Sequence, residues 1–399
     1  MLAITMVAHQ THAFTWSNWA RNQICQVDTL LKPETKQDLI DIIQKNFRSS
    51  QKTIKVAGSG HSWSPLVCNN DTLISVKRLQ KIINVDKKAG TITVEAGALL
   101  KDINEKLDMH DLALANQTAI MDQTAAGVIS TATHGTGHTG TFSKFVKEIN
   151  IITPEGADIT VNASSDPLLF KAVTTHIGSL GVIYSITFTC VPQFYLEYTK
   201  QNIDKETFFT TYKKLIQDHD FVQFAYNTHD SDVTVHIYDK TSPLNKKARV
   251  SFQALSSYDA GGLRLEEEIA IPHEKLESAL KDIDQLVDTH SIKHSMLQRV
   301  FCRFTQADDS LISMSSGRKS IYLSISSPVD NKYLAFFKDF EEKMMAYKGR
   351  PHWGKINFLN YQKAHTLYGS AFKDFVDIKQ LVDPQHIMSN QYTKLVLSS

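Results

Sequence analysis

Residues 110–145 are rich in Ala, Gly, Thr and His and poor in large apolar side chains. A stretch of that kind cannot build a core of its own. It lets backbone come close to something other than another side chain. A shorter stretch of the same texture, Gly58-Ser-Gly-His-Ser62, follows the alternating run Thr53–Ala57, which reads as a strand that stops at Gly58. Small residues after a strand bare successive backbone N–H groups that can cradle a pyrophosphate. The loop lacks the Lys of a P-loop, and it lacks the third Gly and the helix of a dinucleotide-binding fingerprint. Taken alone, it is as readily a tight turn with an exposed His.

Around these loops the chain alternates between strand and helix. Leu73–Val76, Ile83–Asp86 and Thr91–Glu95 read as strands, the last two joined by a turn around Lys88-Ala-Gly90. Residues 32–45 put apolar side chains on one helical face after Pro33, and Leu99–Leu107 reads as a second helix. Glu148–Ile152 and Val182–Phe188 resume strand character. Beyond about residue 192, strand-like runs (Phe221–Tyr226, Val233–Tyr238, Ile321–Ser326) alternate with amphipathic helices (His273–Asp288, Asn331–Tyr347). That pattern predicts an α+β chain whose second unit carries a large antiparallel sheet. A last helix falls near Phe372–Leu381.

Formal net charge is +1 and the charges are interspersed, so no strong field recruits nucleic acid or an anionic membrane. No apolar run approaches the ~20 residues a transmembrane helix needs. The first fourteen residues are mildly apolar but lack the basic start of an export signal. A cytoplasmic location is expected, with export as the alternative. Cys25, Cys68, Cys190 and Cys302 are far apart and form no Cys-x-x-Cys pair. Reduced thiols are therefore expected, with neither a zinc site nor a disulfide framework.

Two further constellations can carry chemistry. Gly127-Val-Ile-Ser-Thr-Ala-Thr-His-Gly-Thr-Gly137 offers hydroxyls and glycines suited to phosphate or ring contact, although a structural Gly/Thr loop explains it as well in isolation. Its His134 and His138 stand at i, i+4, but the glycines oppose a helix and no acidic partner lies close, so no metal is expected. Arg350-Pro-His-Trp-Gly-Lys355 sets a cation two residues beyond a Trp, to project into a pocket or lie on the surface.

The order of these pieces is more specific than any one of them. Asn18-Trp-Ala20, Gly58–Ser62, Val94-Glu-Ala-Gly97, Leu112–Asn116, Gly127–Gly137, Ser179–Ser185, Arg303-Phe-Thr305, Arg350–Lys355 and Asp383-Pro384 run end to end. In that order they resemble the vanillyl-alcohol-oxidase-type FAD-linked oxidoreductases, and within them the aldonolactone oxidase and alditol oxidase group. The resemblance implies a two-subdomain FAD-binding (PCMH-type) unit over residues 1–192 and a substrate domain over 193–349. The segment 350–399 is then expected to return to the flavin site. It further implies FAD, 8α-histidyl linked through His61 and cradled by Gly58, Ser59, Gly60 and Ser62. Ala119, Thr124, Gly127, Thr131, Thr133, His134, Gly135, Gly181 and Ile183 are implied to line the same cofactor. Asn116–Ala126 contains no Cys, so a single tether is expected. Lys355 and Arg303 match the group's catalytic cations, and Phe301, Ser324, Ser326 and His352 are implied substrate contacts. The implied activity is oxidation of a hydroxyl in an aldonolactone, alditol or related polyol, with hydride to flavin N5 and electrons to O2, giving H2O2. The expected partners are thus a small alcohol or lactone and O2 or another acceptor.

Two departures from the group's pattern bear on substrate and acceptor. Relatives usually carry Glu-x-Arg where this chain has Phe301-Cys-Arg303, so an aromatic ring replaces an acid and a less polar alcohol comes into view. Glu268 is the nearest strand-borne acid able to compensate, but the outer face of its strand is its expected place. Thr118 stands where oxidases of the group tend to have Gly or Ala beside the flavin, and its β-branch leaves less room for O2. An FAD dehydrogenase with another acceptor is the alternative, and a flavin-binding module without turnover a minor one.

Overall fold

The computed structural model describes residues 14–49, 52–241 and 262–398. The segment read for an export signal lies, up to residue 13, outside them. Thr29–Leu31, Ile54–Ala57 and Thr72–Ser75 form a parallel sheet with Thr72–Ser75 in the middle. Parallel strands cannot be joined by a hairpin, so the helix Lys36–Ser49 carries the chain from the first strand to the second. Its Leu39 and Ile43, one turn apart, are fully buried. An antiparallel sheet follows in the order Asp158–Asn162, Val146–Ile152, Val182–Thr189, Thr91–Glu95, Ile82–Asp86.

The second half is built on a seven-stranded antiparallel sheet. Its order is Tyr195–Asp204, Asp232–Thr241, Phe221–Asn227, Arg299–Thr305, Ser320–Pro328, Arg264–Pro272, Arg350–Pro351. Arg264–Pro272 and Ser320–Pro328 are buried almost throughout, because both faces of the sheet are covered. Helices Lys205–Asp218, Leu276–Thr289 and Leu334–Met345 pack on one face, against Ile269, Ile271, Leu323 and Ile325. In Leu276–Thr289 the buried residues Leu276, Leu280, Ile283 and Val287 recur at helical spacing. Each such burial stabilises by roughly 1.5–3 kcal/mol. The other face of the sheet looks toward the first half of the chain, where His134 stacks on Tyr322.

Residues beyond 349 belong to both halves. Arg350–Pro351 is the outer strand beside Arg264–Pro272. Helices Tyr361–Tyr368, Ser370–Val382 and Gln391–Leu397 then join the first core, where Tyr368, Phe372, Phe375 and Val396 share a cluster with Leu39, Ile43 and Ile54.

The expectation of four reduced thiols is corrected. Cys25 and Cys68 form a disulfide with their Cα atoms 5.7 Å apart, joining the strand Ile24–Val27 to the loop beyond His61. They are 43 residues apart, so no short spacing announces the pair. Cys190 and Cys302 are free.

Candidate active site

The turn after Ile54–Ala57 is pinned from outside itself. Trp19 N–H donates to the Gly60 carbonyl at 2.8 Å, Asn18 Nδ2 to the Ser62 carbonyl at 2.9 Å, and Trp63 N–H to the Gly354 carbonyl at 2.8 Å. Gly60 has φ +78°, a backbone region closed to most side chains. A Cβ on Gly58 would strike Thr124 Oγ1, so this glycine lets the two small-residue motifs touch. Thr124 in turn caps the helix Ala125–Ser130, accepting from Gly127 N–H at 3.2 Å.

These motifs wall a cleft of about 860 Å³. Gly58, Ser59, Gly60, His61 and Ser62 line it, as do Thr124, Gly127, Thr131, Gly181 and Ile183. His61 Nδ1 is buried without a hydrogen-bond partner, and burial holds the ring's pKa below its usual value, so the imidazole is neutral. Among the described residues, no carboxylate lines the cleft. Small residues, an unpartnered ring nitrogen and the absence of negative charge along the wall fit a flavin dinucleotide with its pyrophosphate.

A second cavity of about 450 Å³ shares His61, Ser62, Gln123 and Thr131 with the cleft. Ala119, Thr133, His134, Arg303, His352 and Lys355 line it, with Thr118 and Glu268. Lys355 reaches it because the chain goes on pairing with Arg264–Pro272 past residue 351. His352 N–H donates to the Glu268 carbonyl at 2.9 Å, and Ile356 N–H to the Glu266 carbonyl at 3.0 Å. Lys355 Nζ thereby lies 2.7 Å from Glu266 Oε1 and 4.2 Å from the centre of the Trp63 ring. Ser324 donates to the same oxygen at 2.8 Å, and Arg264 Nε stands 3.5 Å from the other. Burial pushes the Glu266 carboxyl up, but the charge and hydrogen bond of Lys355 together with the Arg264 charge leave the pKa below its usual value.

Arg303 Nη2 donates to Glu268 Oε2 at 2.6 Å, and His134 Nε2 lies 2.8 Å from Glu268 Oε1. His134 Nδ1 lies 2.8 Å from the Gly135 carbonyl, which can only accept, so Nδ1 carries a proton. Burial holds the His134 ring's pKa below its usual value, against the pull of the Glu268 charge. Burial raises the Glu268 pKa, yet Arg303 and then His134 pull it well below the usual range. The glutamates reach this face by strand alternation. Glu266 and Glu268 point to the cavity side, while Glu267 between them is buried on the other face. There, burial and Glu341 hold its carboxyl well above the usual range.

Several sequence expectations are corrected by this geometry. Glu268 is fully buried at the site instead of lying on an outer face, so an acidic partner for His134 does lie close. His134, Glu268 and His352 present donor atoms within 4.8 Å of one another, but they are not set for a cation. Gly354 N–H donates to His352 Nδ1 at 2.9 Å, so the ring's proton sits on Nε2, and Arg303 already holds Glu268. His138 points elsewhere, its Nε2 3.0 Å from the His219 carbonyl. Phe301, Ser324, Ser326 and Gly135 are in the wall of neither cavity. Ser324 is engaged by Glu266, and Gly135 is wedged against Asn116 and Gln117. The sequence reading missed Glu266, Gln123, Lys55 and His176. For Glu266 a signal existed: three successive glutamates between Leu265 and Ile269 must split between the faces of any strand.

Residues 27–162 match the family model described as FAD binding domain, and residues 263–396 match that of D-arabinono-1,4-lactone oxidase. The chain is an FAD-dependent oxidoreductase, similar along its length to the aldonolactone oxidases. The L-gulonolactone oxidase of Bos taurus is 28% identical to this oxidoreductase over 98% of its chain and 100% of the relative's. The L-gulono-1,4-lactone dehydrogenase of Mycobacterium tuberculosis is 27% identical over 96% of this chain and 99% of its own. Cholesterol oxidase from B. sterolicum shares the fold, with a TM-score of 0.79 at 15% identity over 96% of each chain. Among the described residues, no helix is long and apolar enough to cross a membrane.

Proposed function

We propose that this oxidoreductase takes two electrons from a hydroxyl-bearing carbon of an aldono-1,4-lactone or a related polyol. The observation that carries the reading is the placement of Lys355 and Arg303, each braced by its own glutamate, in one cavity that continues into the His61 cleft. FAD bound in the cleft supplies the hydride acceptor. A substrate hydroxyl in the cavity accepts hydrogen bonds from Lys355 Nζ and the Arg303 guanidinium. Their charges favour the negative charge that grows on the oxygen as the O–H proton leaves, and the carbon bearing that oxygen then gives up the hydride. The hydroxyl proton passes by way of Lys355 to the Glu266 carboxylate behind it.

An 8α-histidyl tether through His61 belongs to the same reading, supported by the neutral, unpartnered Nδ1 in the cleft. Acid precipitation tests it: flavin colour stays with the pellet of the native protein and leaves with the supernatant for His61→Ala. Equal release from both proteins rejects the tether. The activity is tested by mixing the flavoprotein anaerobically with L-gulono-1,4-lactone, D-arabinono-1,4-lactone, xylitol and simple alcohols. Bleaching by a lactone or polyol is expected, and none with any of them rejects the reading.

A dehydrogenase is the second reading, and Thr118 supports it. The residue is buried in the cavity wall, and its hydroxyl is bonded to the Ile120 carbonyl at 2.5 Å. The Cys25–Cys68 bond supports an oxidising compartment over a reducing cytosol.

A further inference from the structure

The cleft also takes in Lys55, His176 and Gly178, none of which lines the cavity that holds Lys355. Lys55 is fully buried and donates to the carbonyls of Gly178 at 2.8 Å and Met388 at 3.3 Å, which ties the last part of the chain to this part of the wall.

His176 is 2% exposed, and its protonation pattern can be read from its neighbours. Ser130 Oγ gives its one proton to the Ala126 carbonyl at 2.6 Å. The contact between Ser130 Oγ and His176 Nε2 at 3.2 Å must therefore be donated by Nε2. Nδ1 is left as a bare lone pair, buried and with no partner. Burial, with the Lys55 charge adding to it, depresses the ring's pKa to about 3, so the lone pair persists at any working pH. A buried acceptor without a donor costs free energy unless a ligand supplies one.

We propose that His176 recognises the adenosine half of the dinucleotide, its Nδ1 accepting a hydrogen bond from a ribose hydroxyl or the adenine amino group. The inference rests on the reading of the cleft as the FAD site. With the flavin ring near His61, where the two cavities join, an extended dinucleotide carries its adenosine into the part of the cleft that the second cavity does not share, whose wall includes His176. His176 is thus the residue by which the protein tells FAD from a flavin mononucleotide, which has nothing to offer there.

The test uses a His61→Ala background, in which flavin is not tethered and its binding can be titrated. His176→Gln keeps a donor in the place of Nε2 and removes the acceptor, while His176→Asn keeps an acceptor near Nδ1. Fluorescence titration of the deflavinated proteins with FAD and with FMN gives the ratio of the two dissociation constants. His176→Gln is expected to weaken FAD by about tenfold and leave FMN unchanged, and His176→Asn to stay within about threefold of the parent for both, as the loss or retention of one hydrogen bond requires. An unchanged FAD-to-FMN ratio in His176→Gln overturns the assignment, as does equal weakening of FAD by both variants. Failure of the His61→Ala parent itself to bind FAD brings down the underlying cofactor reading, a result distinct from either.

Discussion

Glu268 and Arg303 meet at 2.6 Å although the strand Ser320–Pro328 runs between their own two strands. Phe301, Ser324 and Glu268 lie in one cross-strand row, so Glu268 stands two strands away from Phe301 on the same face. Removing that charge leaves Arg303 buried beside an uncharged amide. Glu268→Gln is therefore expected to cost about 3–5 kcal/mol of stability near neutrality. The sign of the pH effect follows from the depressed carboxyl. Its contribution is complete above the ordinary value of 4.5 and is lost as pH falls toward the folded-state pKa. Chemical denaturation at pH 7 and pH 4 should show the gap between native protein and variant narrowing in acid; a gap that stays constant contradicts the ion pair.

Glu266 stands behind Lys355 and, among the described residues, lines neither cavity, so it acts through the lysine. If it receives the substrate proton, Glu266→Gln should lower kcat about 100-fold, the usual worth of a positioned proton acceptor, with a smaller change in KM. The acidic limb of the kcat–pH profile should also vanish, because the titrating carboxyl has gone. Glu266→Asp should recover part of the rate. Loss of rate with the acidic limb intact would assign Glu266 to packing alone.

Much of this was legible in the sequence where residue pattern and local geometry coincide. Thr91–Glu95 alternates strictly and is a strand with those same ends. The glycines of Gly58–Ser62 and Gly127–Gly137 were legible because close approach, such as that of Gly58 and Gly127 to Thr124, leaves no room for a side chain. Glu268 was legible as a strand residue but not as a buried one, because only the two layers covering the sheet make both faces of Arg264–Pro272 interior. The partners of Lys355 and Arg303 escaped for the same reason, since cross-strand neighbours such as Glu268 and Ser324 are 56 positions apart in number yet adjacent in space. The Cys25–Cys68 pair depends on the return of a distant loop, which no local pattern encodes.

The disulfide predicts a thiol count. Alkylation of the unfolded, unreduced protein should label Cys190 and Cys302 only, and prior reduction should expose Cys25 and Cys68 as well. Reduction should also lower stability by about 2–4 kcal/mol, the usual contribution of one such link. Because the bond holds the loop just beyond His61, reduced protein should lose untethered flavin faster in a His61→Ala background. Four labelled cysteines without reductant would remove the bond from consideration.

On the dehydrogenase reading, Thr118 is the residue that limits access of O2 to the flavin. Its side chain is 2% exposed, sits in the wall shared with Ala119 and Lys355, and is fixed by its bond to the Ile120 carbonyl, so it cannot swing aside. Thr118→Ala deletes a methyl and a hydroxyl there without touching Lys355, Arg303 or either glutamate. Substrate reduction of the flavin should therefore keep its rate. Reoxidation in air, followed in a stopped-flow instrument after anaerobic reduction, should quicken by about tenfold, a barrier change of about 1.4 kcal/mol. In the same experiment a soluble artificial acceptor should gain nothing, since it need not reach the space the methyl occupied. If native protein already reoxidises within milliseconds, Thr118 is no barrier and the dehydrogenase reading falls. If the variant is faster with O2 alone, the side chain is what separates the two activities.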